Sequence, residues 1–75
     1  MIKDHDLLVL THHVPEAGLE AGDVGVVVAV YEGGGVEMEF VSAEGATLAV
    51  LTLTDADVRQ MAGAEILHVR GLAPV

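Results

Sequence analysis

Residues 24–41 restrict the fold more than any other part of the sequence. Val24–Tyr31 contains five valines, and β-branched side chains are stiff in helices but pack well on a pleated sheet. Gly33–Gly35 follow, and glycines readily adopt the positive φ values that a tight reversal needs. Val36–Val41 then alternates between apolar and other residues, with glutamates on the opposite face from the apolar side chains. The segment predicts a β-hairpin.

The rest of the chain adds shorter elements around this hairpin. Thr54–Met61 starts with a residue suited to an N-cap and has acids in its first turn, which predicts one or two helical turns. Val14–Asp23 contains a proline and two glycines with little periodicity, and it predicts a loop of about ten residues. The further predicted strands are Leu7–Thr11, Ala46–Leu53 and Glu65–Arg70.

These elements predict one all-β domain over residues 1–75, with its core within 4–70. Seventy-five residues are too few for a second domain. Five short strands, a long first loop and a helical turn before the last strand are typical of a small SH3-like five-stranded antiparallel barrel. Val24–Tyr31 is apolar on both faces, so it should be a central or strongly curved strand of that barrel.

Charge and hydropathy exclude several classes of partner. Three basic residues stand against twelve acidic ones, a formal net charge of −9, and such a chain is repelled by nucleic-acid phosphates and anionic membranes. No apolar run approaches the roughly 18 residues of a membrane helix, and the N-terminus lacks the basic character of a secretory signal. With no cysteine, the sequence fits a reducing compartment, and we expect a cytoplasmic protein.

The residue types that carry catalysis do not form a convincing site. Glu37 and Glu39 share one strand face, but that face should be solvated and without a pocket around it. Ser42, the only serine, lies in a predicted turn without an evident histidine neighbour. Gly33–Gly35 joins two strands instead of opening a helix, so it does not predict a phosphate loop. We expect no enzyme activity, no small-molecule substrate and no cofactor.

Four histidines raise the question of a metal site. His12 and His13 are adjacent at a strand end, where neighbouring side chains point to opposite faces, so they are poorly placed to share one ion. His5 and His68 are separate from this adjacent pair. The favoured interpretation is polar loop histidines without metal, although the sequence leaves metal binding by these four open.

The excess of apolar residues favours binding of another protein. A mean hydropathy of +0.55 is high for a small domain that can hide little apolar surface. Both faces of Ala46–Leu53 are apolar, and a small barrel buries one of them. We therefore expect a partner protein or self-association, through apolar residues and Tyr31 rimmed by acids. The predicted contact residues are Tyr31, Leu48, Val50, Glu16 and Glu20.

Three segments resemble a family of short bacterial proteins known as a domain of unknown function. They are Gly18–Val27, Val30–Val41 and Glu44–Leu53, and the resemblance covers residues 4–60. It implies an SH3-like barrel with no established activity. Members of that family are often encoded beside small proteins that look like toxins, so the resemblance implies an antitoxin, immunity or accessory role.

Two alternatives follow from the segment Gly22–Val27. It is similar to the glycine-valine turn of KOW modules, which bind ribosomes and polymerases, and to barrel segments of the nitrile hydratase β subunit and its activators. The first similarity implies nucleic-acid association and the second an enzyme-activator subunit. Around the turn, however, this chain carries Glu16, Glu20 and Asp23, where RNA-binding KOW modules carry basic and aromatic residues.

Overall fold

The computed structural model describes residues 2–72 and shows an all-β protein. Its strands form one antiparallel sheet in the order β4-β3-β2-β1-β5, and a short 3-10 turn, Pro15–Ala17, lies in the first loop. Within residues 2–72, no helix is long and apolar enough to cross a membrane. The strands are β1 Leu7–Leu10, β2 Val24–Val30, β3 Val36–Val41, β4 Thr47–Leu53 and β5 Val58–Gln60.

The predicted hairpin is confirmed, and β2 lies at the centre of the sheet as its apolar faces indicate. Gly33 and Gly34 in the β2–β3 turn have φ values of 92° and 96°, which other residues adopt only with strain. The β3–β4 turn closes through a hydrogen bond from the Ser42 amide to the Ala46 carbonyl, 2.9 Å. Strands β2 to β4 therefore form an antiparallel meander.

The hydrophobic core lies on the inner face of this sheet. The alternation in β3 is confirmed, because its apolar residues are almost fully buried while its glutamates lie on the other face. Leu19 from the long first loop closes one side of the core. The buried cluster consists of Leu8, Leu10, Leu19, Val27, Val36, Met38, Phe40, Leu53 and Val58.

A glycine in β2 makes room for the largest core side chain. A Cβ atom at Gly25 would lie 2.7 Å from Phe40 Cε2 and 2.9 Å from Met38 Cε, distances that real Cβ atoms essentially never show. Gly25 therefore lets the Phe40 ring lie against the backbone of β2. This contact fixes the position of β3, and with it that of β4.

The predicted helix at Thr54–Met61 is wrong. The Asp57 carboxylate accepts hydrogen bonds from the amide and the hydroxyl of Thr54, at 2.9 and 3.1 Å, and the Asp57 amide donates to the Thr54 carbonyl, 2.9 Å. These bonds close a tight turn at once. Val58 then pairs with Leu10 as the start of β5, and its burial in the core outweighs the weak helix preference of the segment.

The predicted strand at Glu65–Arg70 is also wrong. Its alternating pattern is real, but β5 already occupies the edge of β1 where a last strand would pair. Residues 61–72 instead run without regular structure beside the sheet. Two ion pairs hold them: Glu65 to Arg59 at 2.7 Å and Arg70 to Asp23 at 2.7 Å.

The sheet does not close into a barrel. Among the described residues, β4 pairs only with β3 and β5 pairs only with β1, so the sheet has two edges. The SH3-like prediction is therefore supported as far as a five-stranded antiparallel sheet, and the closed barrel is not observed.

Candidate functional site

Strand β4 offers the longer of the two edges. It has seven residues and carries no charged side chain, although 20% of the whole chain is charged. An edge strand presents a row of backbone N–H and C=O groups that can pair with another chain, and proteins commonly protect such edges with charges, prolines or short length. None of these protections occurs in Thr47–Leu53.

The two faces of β4 differ in chemistry. Ala49 and Leu51 lie on the inner face and are partly buried against the core. Val50, on the outer face, is 51% exposed and pairs with Glu39 of β3. The inner row of β4 thus continues the core to the open edge, while its outer row lies beside acidic residues.

Threonine hydroxyls on β4 hold the two carboxylates of β3. Thr47 Oγ1 donates to Glu39 Oε2, 2.6 Å, and Thr52 Oγ1 donates to Glu37 Oε1. Both glutamates are half-buried, so they are less solvated than the sequence predicts. The hydrogen bonds draw the negative charges of β3 toward the free edge.

A groove of about 510 Å³ lies at the start of β4. Leu48 lines it where the β3–β4 register shifts, and this residue has no Cα partner on β3. Such irregularities often redirect a side chain. Opposite Leu48, the groove is lined by Asp23, Arg70 and Leu72, so its second wall belongs to the first loop and the C-terminal segment.

The structure separates the predicted contact residues into distinct places. Leu48 and Val50 lie on β4, whereas Tyr31 lies in the β2–β3 turn, where its amide donates to the Gly35 carbonyl, 2.8 Å. That turn adjoins the Leu53 end of β4, since Val36 pairs with Leu53. Five residues of strand, about 17 Å, separate this end from Leu48. Tyr31 is 47% exposed and would contact a different part of a partner.

The two predicted acidic contacts lie on the first loop. Glu20 approaches Arg70 at 3.7 Å, and Arg70 lines the same groove as Leu48. Glu16 lies in the 3-10 turn and is exposed. The structure therefore brings Glu20 close to the groove and leaves Glu16 nearer to His12, whose pKa its charge helps to raise.

Basic residues are absent from β3 and β4. Arg59 binds both carboxylate oxygens of Glu65, and this ion pair lowers the pKa of Glu65 to about 2. Arg70 binds both oxygens of Asp23 and lowers the pKa of that carboxyl. Lys3 precedes β1. The exposed surface of β3 and β4 is therefore apolar and negative, and Arg70, the arginine that lines the groove, is paired with Asp23.

His12 links the first loop to the turn before β5. Its Nε2 lies 2.7 Å from Asp57 Oδ1 and its Nδ1 lies 2.9 Å from the His13 carbonyl oxygen. Both partners are acceptors, so both ring nitrogens can donate only when the ring is protonated. The hydrogen bond to Asp57 is the main cause of the raised pKa of His12, and it lowers the pKa of Asp57.

The remaining candidates for chemistry occupy separate places. His13 Nδ1 accepts a hydrogen bond from the Ala21 amide, 3.1 Å, and Ser42 Oγ accepts from the amides of Glu44 and Ala46, both 3.2 Å. Ser42 thus stabilises its own turn. Within residues 2–72, no group of three or more histidine, cysteine, aspartate or glutamate side chains is placed to hold a metal ion.

The sequence pattern did not predict the groove or the His12–Asp57 contact. Both depend on residues that are distant in sequence: 45 positions separate His12 from Asp57, and Leu48 meets the C-terminal segment only after the sheet forms. Val41 was the available local signal for the groove, because it is an apolar residue on the face of β3 that otherwise carries glutamates. In the structure it is half-exposed and lines the groove.

Comparison with known proteins gives one family. The profile of a family described as a domain of unknown function (DUF4926) matches residues 4–60, the range over which the sequence resembles an uncharacterised family. No curated protein and no solved structure matches the chain.

Proposed function

The chain belongs to the DUF4926 family, whose function is unknown, and we propose that it is a non-catalytic protein-interaction module that binds a partner protein along β4. In this proposal it acts as an accessory subunit or in an antitoxin-like or immunity role. Its fold is an SH3-like barrel left open between β4 and β5, and the order β4-β3-β2-β1-β5 supports that assignment.

The observation that carries the proposal is the unprotected edge of β4. Seven consecutive uncharged residues at an edge are an aggregation risk for a free protein, and the chain has twelve acidic residues that could have prevented it. A bound partner removes the risk by covering the edge. The half-exposed Leu48 and Val50 supply apolar contact area next to it.

Charge indicates the kind of partner. Glu37 and Glu39 lie on the outer face beside β4, and Glu44 lines the groove. With no basic residue on β3 or β4, this surface attracts a protein of basic or mixed charge and accelerates its association at low salt.

The test uses the natural partner and two matched variants. The tagged chain is purified from its host, the protein that copurifies stoichiometrically is prepared separately, and its affinity is measured by calorimetry. Leu48→Asp should weaken binding at least tenfold. Leu7→Asp, at a residue 49% exposed on β1 and on the same outer face as Val50, should bind as the wild type does.

Circular dichroism shows whether both variants remain folded. Equal affinities of wild type and folded Leu48→Asp would refute binding along β4, as would an isolated chain that copurifies with no protein. Tyr31→Ala measures how far the contact extends along the strand, and a loss smaller than that of Leu48→Asp is expected because Tyr31 lies at the far end.

A further inference from the structure

We propose that the partner contributes an extended segment that adds to β4 as a sixth strand, with basic and apolar residues in alternation. This inference rests on the proposed function and specifies its ligand: a peptide strand whose basic side chains meet Glu37 and Glu39. It predicts a sequence pattern in the partner, which a general protein-protein contact does not.

The backbone supplies the pairing. In residues 2–72, β4 pairs with β3 alone, so half of its backbone groups face away from the sheet. A strand added at that edge continues the ladder at about 4.8 Å from β4. Main-chain hydrogen bonds give such a contact affinity, and the alternate side chains give it specificity.

The inner face selects apolar residues. Ala49 and Leu51 of β4 are partly buried against the core, and one side of each remains open where the sheet ends. Every second residue of the added strand lies beside them. Apolar side chains at those positions extend the core, whereas charged ones would be desolvated there without a partner.

The outer face selects basic residues. Glu39 pairs with Val50 and Glu37 with Thr52, and the hydroxyls of Thr47 and Thr52 bind the two carboxylates. The added strand lies about 10 Å from β3, which the long side chains of lysine and arginine can span across β4. The intervening residues of the added strand therefore meet acids that no basic residue of β3 or β4 neutralises.

The same charges disfavour a second copy of the chain as the occupant. Pairing of β4 with β4 would bring only uncharged residues to the edge and would leave Glu37 and Glu39 without cations. It would also join two chains of net charge −9. A foreign basic strand satisfies both requirements.

The test selects strands from random sequences, so the natural partner need not be identified first. A library of random 12-residue peptides is displayed on phage and selected against the full chain, and the enriched peptides are synthesised. Peptides that alternate lysine or arginine with valine, isoleucine or leucine should be enriched. Hydrogen exchange of the β4 amides should slow at least tenfold when such a peptide is bound, and methylation of its backbone nitrogens should abolish binding.

Matched variants separate edge pairing from charge attraction. Val50→Lys places a cation on β4 opposite the incoming basic residues and should weaken binding at least tenfold. Leu7→Lys adds the same charge at a residue of similar exposure on β1 and should change it less than threefold. Glu37→Gln with Glu39→Gln keeps acceptors for both threonine hydroxyls and should weaken binding five- to tenfold at low salt.

Three results would overturn the inference: enriched peptides without the alternation, binding that leaves the β4 amides unprotected, or a wild-type dimer with those amides protected. If they occur while Leu48→Asp still abolishes binding of the natural partner, the proposed function stands and strand addition fails. If strand addition fails and Leu48→Asp also leaves binding of the natural partner unchanged, the inference and the proposed function are both refuted.

Discussion

The two edges of the sheet are built in opposite ways. Strand β5 has three residues and carries Arg59, whose ion pair with Glu65 anchors residues 61–68, and several of these residues line a cleft with Val9 and Val24 on the outer face of the sheet. Strand β4 has seven residues, no charge, and no paired strand on its free side within residues 2–72, although His68–Arg70 and Leu72 line the groove that Leu48 also lines. One edge is short and carries a charged residue that anchors the C-terminal segment, and the other is long and uncharged.

This difference shows where the chain protects itself. The bidentate ion pair of Arg59 with Glu65 anchors the C-terminal segment to β5, and the short length and charge of this strand are recognised ways of protecting an edge. Strand β4 is longer and has no charged residue that could protect its edge in this way. A long, uncharged edge strand is suited to binding another chain.

The largest expected effect concerns a core residue that supports β3 and β4, in contrast to an exposed residue on the outer face of β4. Phe40→Ala removes a ring that is 2% exposed and packs against β2 beside Gly25, and it should lower the free energy of unfolding by about 3–5 kcal/mol. A domain of this size has roughly 4–11 kcal/mol in total, so the variant should lose a large share of its stability.

Val50→Ala is the matched change on the outer face of β4, and it should alter the free energy of unfolding by less than about 0.5 kcal/mol. Urea denaturation measures both variants. A large loss for Val50→Ala would mean that this side chain stabilises the free domain, and the contrast between core and binding surface would disappear.

The second prediction concerns the ion pair that anchors the C-terminal segment to β5. Glu65→Gln breaks its ion pair with Arg59, so hydrogen exchange should become faster at the amides of β5 and stay unchanged at those of β4. In the wild type, the pKa of Glu65 is lowered to about 2. Its stabilising contribution is therefore complete above its ordinary pKa and is lost as the pH falls through about 2.

Nuclear magnetic resonance measures both parts of this prediction. A Glu65 carboxyl that titrates near its ordinary value of 4.5, or β5 amides unaffected by Glu65→Gln, would show that this ion pair does not stabilise β5.

The smallest expected effect concerns the His12–Asp57 contact, which holds the turn leading into β5. The folded pKa of His12 is raised above 6.5, so its contribution to stability is complete below that value and is lost as the pH rises through the folded pKa. The melting temperature of the wild type should therefore fall above pH 6.5 relative to that of His12→Gln.

His13→Gln is the control for this pH dependence, because His13 Nδ1 accepts a hydrogen bond from the Ala21 amide and forms no ion pair with a carboxylate of residues 2–72. Differential scanning calorimetry between pH 5.5 and 8.5 gives the three curves. Parallel curves for wild type and His12→Gln would contradict the predicted protonated contact.

The fold was predictable from sequence where local pattern and burial agree. The alternation of Val36–Val41 and the glycine turn before it predicted β3 and the central hairpin, because side-chain period and turn chemistry both act within a few residues. The pattern failed after Leu53. There, pairing of Val58 with Leu10 decided the structure, and that contact spans most of the chain.

The candidate site was predictable in part for the same reason. Leu48 and Val50 were predicted from the two apolar faces of one strand, which is local information. That β4 would be an open edge, and that Tyr31 would lie at its far end, depends on the order of all five strands. The ion pairs that hold the C-terminal segment, Arg59 with Glu65 and Arg70 with Asp23, could not be predicted, because the charge of a residue does not indicate its partner in the sequence.

Hydrogen exchange of the chain alone and with its natural partner tests the central claim most directly, with β5 as the internal reference. We predict that partner binding slows exchange at the β4 amides at least tenfold and leaves those of β5 unchanged. Protection confined to β5, or no protection of either edge in a stable complex, would contradict the account of β4 as the binding edge.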